Sequence, residues 1–264
     1  MILRDLQPMS RPLFPALVLS LAMSGAALAT SFDFVTTIDG AHPYSYEGRM
    51  TVSKTFCRVD VTRGAHPMFN PGYTVISQRN GQVILVLDHK QRTYFVRETN
   101  GMSGPLATVH GFAPSTAANA SIRIHSEGGE IGVAEARRTT RYSLHITYNL
   151  QIAVDDEKFL ATVDVSGSLW TLDGTLQTAL PWGMQFAVKT GFPEIDRAIA
   201  RKMPYDLPVR QLITVTRRIG DGPPVTETMT TTTSNISEEP SASSIFGASP
   251  DYKLREPNFS YGAP

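Results

Sequence analysis

The pattern that most constrains this chain is an alternation of apolar and polar residues sustained over thirteen positions. Tyr142, Leu144, Ile146, Tyr148, Leu150, Ile152 and Val154 alternate with Ser143, His145, Thr147, Asn149, Gln151 and Ala153. A period of two marks a strand buried on one face only. Past Asp155-Asp156 the parity reverses, and Phe159, Ala161, Val163, Val165, Gly167 and Leu169 carry the apolar side. Setting Ile152 opposite Phe159 places Tyr148 on Val163, Ile146 on Val165 and Tyr142 on Leu169, with every apolar residue on one face. A slip of one residue would oppose Leu144 to Ser168 and lose that face, so the register is well determined. Thirteen residues at about 3.3 Å each span roughly 43 Å. Strands this long coil, and a sheet built from them curls toward a barrel or half-barrel whose concave side encloses a helix or a ligand.

Shorter hairpins precede this one. Tyr44, Tyr46, Met50 and Val52 share a parity with Gly48, and after Ser53-Lys54-Thr55-Phe56 the apolar set becomes Cys57, Val59 and Val61. Pairing Val52 with Cys57 sets Met50 opposite Val59 and Gly48 opposite Val61, which keeps one face apolar. Asn80-Gly81, a strong hairpin signal, joins strand-like residues 73–77 to 83–87, and Asp88-His89-Lys90-Gln91 turns into 93–96. The unbroken apolar run 83–87 requires a strand covered on both faces. Helices within 172–203 are expected to supply one cover: Pro193-Glu194 opens a segment with Phe192, Ile195, Ala198 and Ile199 on one side, and Pro204 stops it. Two last strands flank Gly220-Asp221-Gly222. In the second, six of the eight residues 226–233 are threonine, the pattern expected of a solvated edge strand. Residues 250–264 read as an irregular tail. The expected fold is mainly β (α+β), a large curved antiparallel half-barrel with a few helices packed on or in its concave face.

At the N-terminus, Arg4 and Arg11 precede the uncharged stretch 13–23, and Ala27-Leu28-Ala29 follows with small residues where a signal peptidase reads. Residues 1–29 are therefore expected to be a signal peptide, and 30–264 a single half-barrel domain. The uncharged stretch would form a helix of about 16 Å, far short of a bilayer core of roughly 30 Å, so no transmembrane segment is expected. The expected location is periplasmic, or extracellular if the source is not a double-membrane bacterium. In a eukaryotic host, Asn119-Ala120-Ser121 and Asn235-Ile236-Ser237 would become glycosylation candidates. Cys57 is the sole cysteine, so no internal disulfide forms, and its apolar strand position reads as a buried structural thiol. The 24 basic and 24 acidic residues alternate without a basic face, which argues against a nucleic-acid partner.

No residue constellation names a reaction. There is no Gly-x-Ser-x-Gly elbow, and Ser103 between Met102 and Gly104 lacks that spacing. The histidines at 42, 66, 89, 110, 125 and 145 form no His-Glu-x-x-His pair, so neither a metal nor another cofactor is expected. Asp155-Asp156-Glu157 reads as a polar hairpin tip, and His145 as a solvated strand residue opposite Ser166.

The segments Tyr46-Glu47-Gly48-Arg49-Met50-Thr51-Val52, Arg58-Val59-Asp60-Val61, Gly81-Gln82-Val83 and Leu87-Asp88 to Tyr94 resemble the bacterial lipoprotein-localisation-factor (LolA/LolB-like) superfamily. Thr190-Gly191-Phe192-Pro193-Glu194-Ile195-Asp196 and residues 243–253 are similar to a less characterised exported branch. The resemblance implies a curved antiparallel half-barrel with helices in its mouth, which in some members carries lipoprotein acyl chains. Met50, Val52, Leu144, Ile146, Tyr148, Val163 and Val165 are then the candidate lining of an apolar hollow, or ordinary core beneath the helices. The expected function is non-catalytic binding of an acyl chain, lipid or lipoprotein. The alternative is an interaction module for an envelope protein partner, docking along the threonine-rich edge, with an enzyme as the third class.

Overall fold

The computed structural model describes residues 27–53, 56–64, 70–78, 83–98, 114–133, 135–154, 157–172, 190–202 and 208–255. The strands are β1 (Ala27–Asp39), β2 (Tyr44–Val52), β3 (Cys57–Gly64), β4 (Tyr73–Gln78), β5 (Val83–Asp88), β6 (Thr93–Glu98), β7 (Pro114–Gly132), β8 (Glu135–Val154), β9 (Glu157–Leu172), β10 (Pro208–Ile219), β11 (Val225–Ser241) and β12 (Lys253–Leu254). One helix, α1 (Pro193–Lys202), precedes β10. All described strands join one curved, unclosed sheet in the order β12-β6-β5-β4-β3-β2-β1-β11-β10-β9-β8-β7.

Local pairing follows the alternation. Val52 faces Cys57, Met50 faces Val59 and Gly48 faces Val61 across β2 and β3. Ile152 faces Phe159, Tyr148 faces Val163 and Tyr142 faces Leu169 across β8 and β9. The side of the sheet that carries these apolar residues is its concave side. On it, residues of β1–β5 and β7–β11 merge into a single cluster that includes Ile195 and Ile199 of α1. Gly167 sits there at φ +152°, where any Cβ would run into the Leu212 carbonyl of β10. Cys57 is fully buried in the same cluster.

The threonine-rich strand is not an edge. β11 pairs with β1 on one side and β10 on the other, so it lies in the middle of the sheet. A threonine is β-branched and suits any pleated position, and here its hydroxyls find partners across the ladders. Thr214 and Thr228 lie 3.2 Å apart on the outer side, as do Thr216 and Thr226 at 3.0 Å. Thr36 and Thr231 bond at 2.9 Å on the concave side. The edge that motivated a docking partner is therefore absent at this position.

The run 83–87 has different cover on its two sides. α1 contributes to the concave cluster and packs along β7. The outer face of β4 and β5 is covered by the C-terminal segment from Ser243 onward, and the expected irregular tail from 250 contributes Tyr252 and a two-residue strand. A 3₁₀ turn at Ser243–Phe246 seats Phe246 in a second cluster with Ile76 and Leu87, and Phe56 stacks on Phe246 with ring centroids 5.5 Å apart. Arg58 donates to the Ile245 carbonyl at 2.8 Å and Gln78 to that of Phe246 at 3.1 Å. The segment ends as β12, parallel to β6 through Lys253 and Thr93. Leu172, assigned to the helical region by its sequence position, is the last residue of β9. The remainder of the expected cover at 173–189, the Asn80-Gly81 turn, the Asp155-Asp156 tip and residues 1–26 lie outside the described residues.

Two bulges carry the strand asparagines. Asn119 at φ +54° lies where the β7–β8 register shifts, and Asn235 at φ +53° where the β1–β11 register shifts. Asparagine tolerates this left-handed backbone better than most residues. Asn235 also donates to Asp33 at 2.7 Å.

Candidate functional site

Strand parity aims Met50 and Val52 from β2, Leu144, Ile146 and Tyr148 from β8, and Val163 and Val165 from β9 toward the concave side. All seven are buried and belong to the one concave cluster. Phe32, Phe34 and Ile38 of β1, Ile213 and Val215 of β10 and Met229 of β11 extend it. These were not singled out from sequence, although the alternation 209–219 carries the same signal.

A short, bonded loop positions the helix. The Asp196 carboxylate accepts from the Thr190 backbone at 2.7 Å, the Thr190 hydroxyl at 2.8 Å and the Gly191 backbone at 3.0 Å. The Thr190 hydroxyl in turn accepts from Phe192 N at 3.1 Å. This is the physical content of the Thr190-to-Asp196 segment: the Asp196 side chain in the first turn of α1 reaches back to the N–H groups of the entry loop and fixes it against the helix. At the other end Lys202 donates to the Ile122 carbonyl of β7 at 2.6 Å.

Several polar groups interrupt the concave face among the described residues, two of them as bonded sets. Deep in the sheet, Gln211 donates to Thr231 at 3.0 Å, beside the Thr36 and Thr231 pair, and all three are buried. Nearer one end, Arg217 of β10 pairs with Glu227 of β11 at 2.5 Å, with side chains only 6% and 16% exposed. Holding either charge there alone would cost roughly several kcal/mol in desolvation, so each depends on the other. Tyr148 lies close enough to feel Arg217 and Asp196: burial pushes its phenol well above the ordinary range, Arg217 opposes that shift and Asp196 adds to it. Burial likewise pushes the Cys57 thiol far up, which holds it protonated and unreactive. Beyond Arg217, Ile219 and Phe159 form a rim where each is 37% exposed.

The outer side is chemically different. His145 faces Ser166, as expected, and bonds Asp164 at 3.1 Å with both side chains well exposed. A shallow groove of about 290 Å³ lies among Thr116, Asn149, Gln151 and Leu160, away from the concave cluster. Under the C-terminal segment, Arg58 holds Asp60, which accepts from Thr74, and His89 bridges Thr74 at 2.7 Å to Tyr252 at 2.5 Å. Thr74 is fully buried, and the relay ties Tyr252 of the segment to β4. Among the described residues no group of three or more His, Cys, Asp or Glu could hold a metal ion, and no helix is long and apolar enough to cross a membrane.

No family model matches the chain, and no curated protein matches it. Among solved structures it is similar to a DUF1329 family protein from Desulfovibrio piger, with 10% sequence identity over 81% of this chain and 86% of that one, at a TM-score of 0.28.

Proposed function

We propose that this chain is a non-catalytic periplasmic protein that holds an acyl chain, lipid or lipoprotein against the concave face of its half-barrel, as LolA/LolB-like carriers do. The observation that carries this reading is the continuous apolar cluster across the unclosed sheet, with α1 laid on it through Ile195 and Ile199 and bonded to β7 through Lys202. A helix held in this way is a cover that can shift, and an acyl chain entering beneath it gains about 0.8 kcal/mol per buried methylene. Met50, Ile146, Tyr148 and Val163 would line the bound chain.

Native mass spectrometry with lipid extraction tests this on the exported protein purified from a bacterial periplasm without detergent. A discrete adduct in the lipid mass range is expected. A bare polypeptide mass that persists after incubation with envelope lipids would overturn the reading and make the concave cluster plain core.

A further inference from the structure

We infer that the Arg217 and Glu227 pair is a head-group site that selects an uncharged acyl amphiphile, an ester or amide, over a free fatty acid or a cationic lipid. The inference rests on the acyl-binding reading above and adds which head the ligand carries. Concave positions along β10 run Val209, Gln211, Ile213, Val215, Arg217 and Ile219, so the arginine sits one step inside the exposed rim residue. Its neighbours across the ladders are Val163 and Val225, and the face below it continues through Val215, Val165 and Ile146, all buried and apolar. This order of exposed apolar rim, polar pair and apolar floor suits a ligand that enters tail first and leaves its head at the pair.

Charge decides the class of head. The pair is neutral as a unit, and it is set in low-dielectric surroundings where like charges repel strongly. A carboxylate bound at Arg217 would lie beside the Glu227 carboxylate, and a quaternary ammonium at Glu227 would lie beside the guanidinium. An ester or amide head with a hydroxyl or N–H meets neither penalty, because the guanidinium donates to its carbonyl while the carboxylate accepts from its donor. Tyr148, one step from Arg217's partner Val163 on β9, is buried on the same face and feels the guanidinium. Asp196 on α1 also pushes the same phenol up.

Isothermal titration calorimetry on the full exported chain, with monolaurin, laurate and dodecyltrimethylammonium each below its micelle concentration, tests the inference. Monolaurin is expected to bind at least about tenfold more tightly than either charged probe. Glu227→Gln should move the preference toward laurate and Arg217→Gln toward the ammonium, with circular dichroism confirming the fold. Where a variant fails to fold, the ranking on the native chain decides. Equal affinities for the three probes, or a ranking unmoved in folded variants, would overturn the head-group site while leaving acyl binding intact. Binding of none of them would instead remove the acyl reading on which it rests.

Discussion

Strands β3–β6 and strands β8–β10 share one sheet but face two different surroundings. The first group is six to eight residues long, and its central strands β4 and β5 bury both sides: Val75, Ile84 and Val86 point into the concave cluster, while Ile76 and Leu87 point out beneath Phe246. The second group is twelve to twenty residues long and buries one side, leaving Ser143, His145, Thr147 and Asn149 outward at intermediate exposure. Long strands accumulate enough apolar area on a single face to pack against the rest of the sheet. Short strands do not, and here they gain stability from a strap laid across their backs.

The sharpest test of that contrast is a charge placed on either side of β8. Ile146→Asp buries a carboxylate in the concave cluster and is expected to cost about 4 kcal/mol or more, whereas Asn149→Asp on the outer side, opposite Thr162, should cost less than about 1 kcal/mol, both read from urea unfolding. Next, Phe246→Ala should cost about 3 kcal/mol and speed hydrogen exchange in β4–β6 while leaving β8 and β9 protected. Equal deprotection of the two regions would show that the strap does not act locally.

Cys57 gives a smaller effect with a definite sign. Its thiol is held protonated in the fold and ionises near about 8.5 when unfolded, so the unfolded chain loses protons first. Stability is therefore complete below that pH and falls above it by about 1.4 kcal/mol per pH unit. Cys57→Ala should flatten that alkaline slope, and a thiol reagent should label the native protein only after unfolding. The smallest effect belongs to the exposed His145 and Asp164 pair, whose replacement by alanine should shift stability by less than about 1 kcal/mol. A larger loss would mean that the outer face of the long strands is covered after all.

Much of the sheet could be read from the chain because hairpin registers are local. The parity flips around residues 53–56 and 155–156 leave one pairing for β2 with β3 and one for β8 with β9, and both occur. The seven candidate residues were legible for the same reason. The rest depends on partners distant in sequence. Thr226 to Thr233 look alike whether β11 has one neighbour or two, since β-branching and a hydroxyl serve both. Arg217 and Glu227 share the parity of Val215 and Met229 on their own strands, and only the β10–β11 pairing brings the two charges together. Phe246 and Tyr252 carry no periodicity that would announce a strap.

Alternation by itself determined which residues share a face, because side chains on a strand point to opposite sides with a period of two whatever the fold around them. It determined equally that residues 83–87 need cover on both sides. Which strand lies beside which, what supplies that cover and where a charge pair meets inside an apolar wall were decided by the tertiary structure. Those contacts join segments far apart along the chain, and they form only once the whole sheet has curled and excluded water from its concave side.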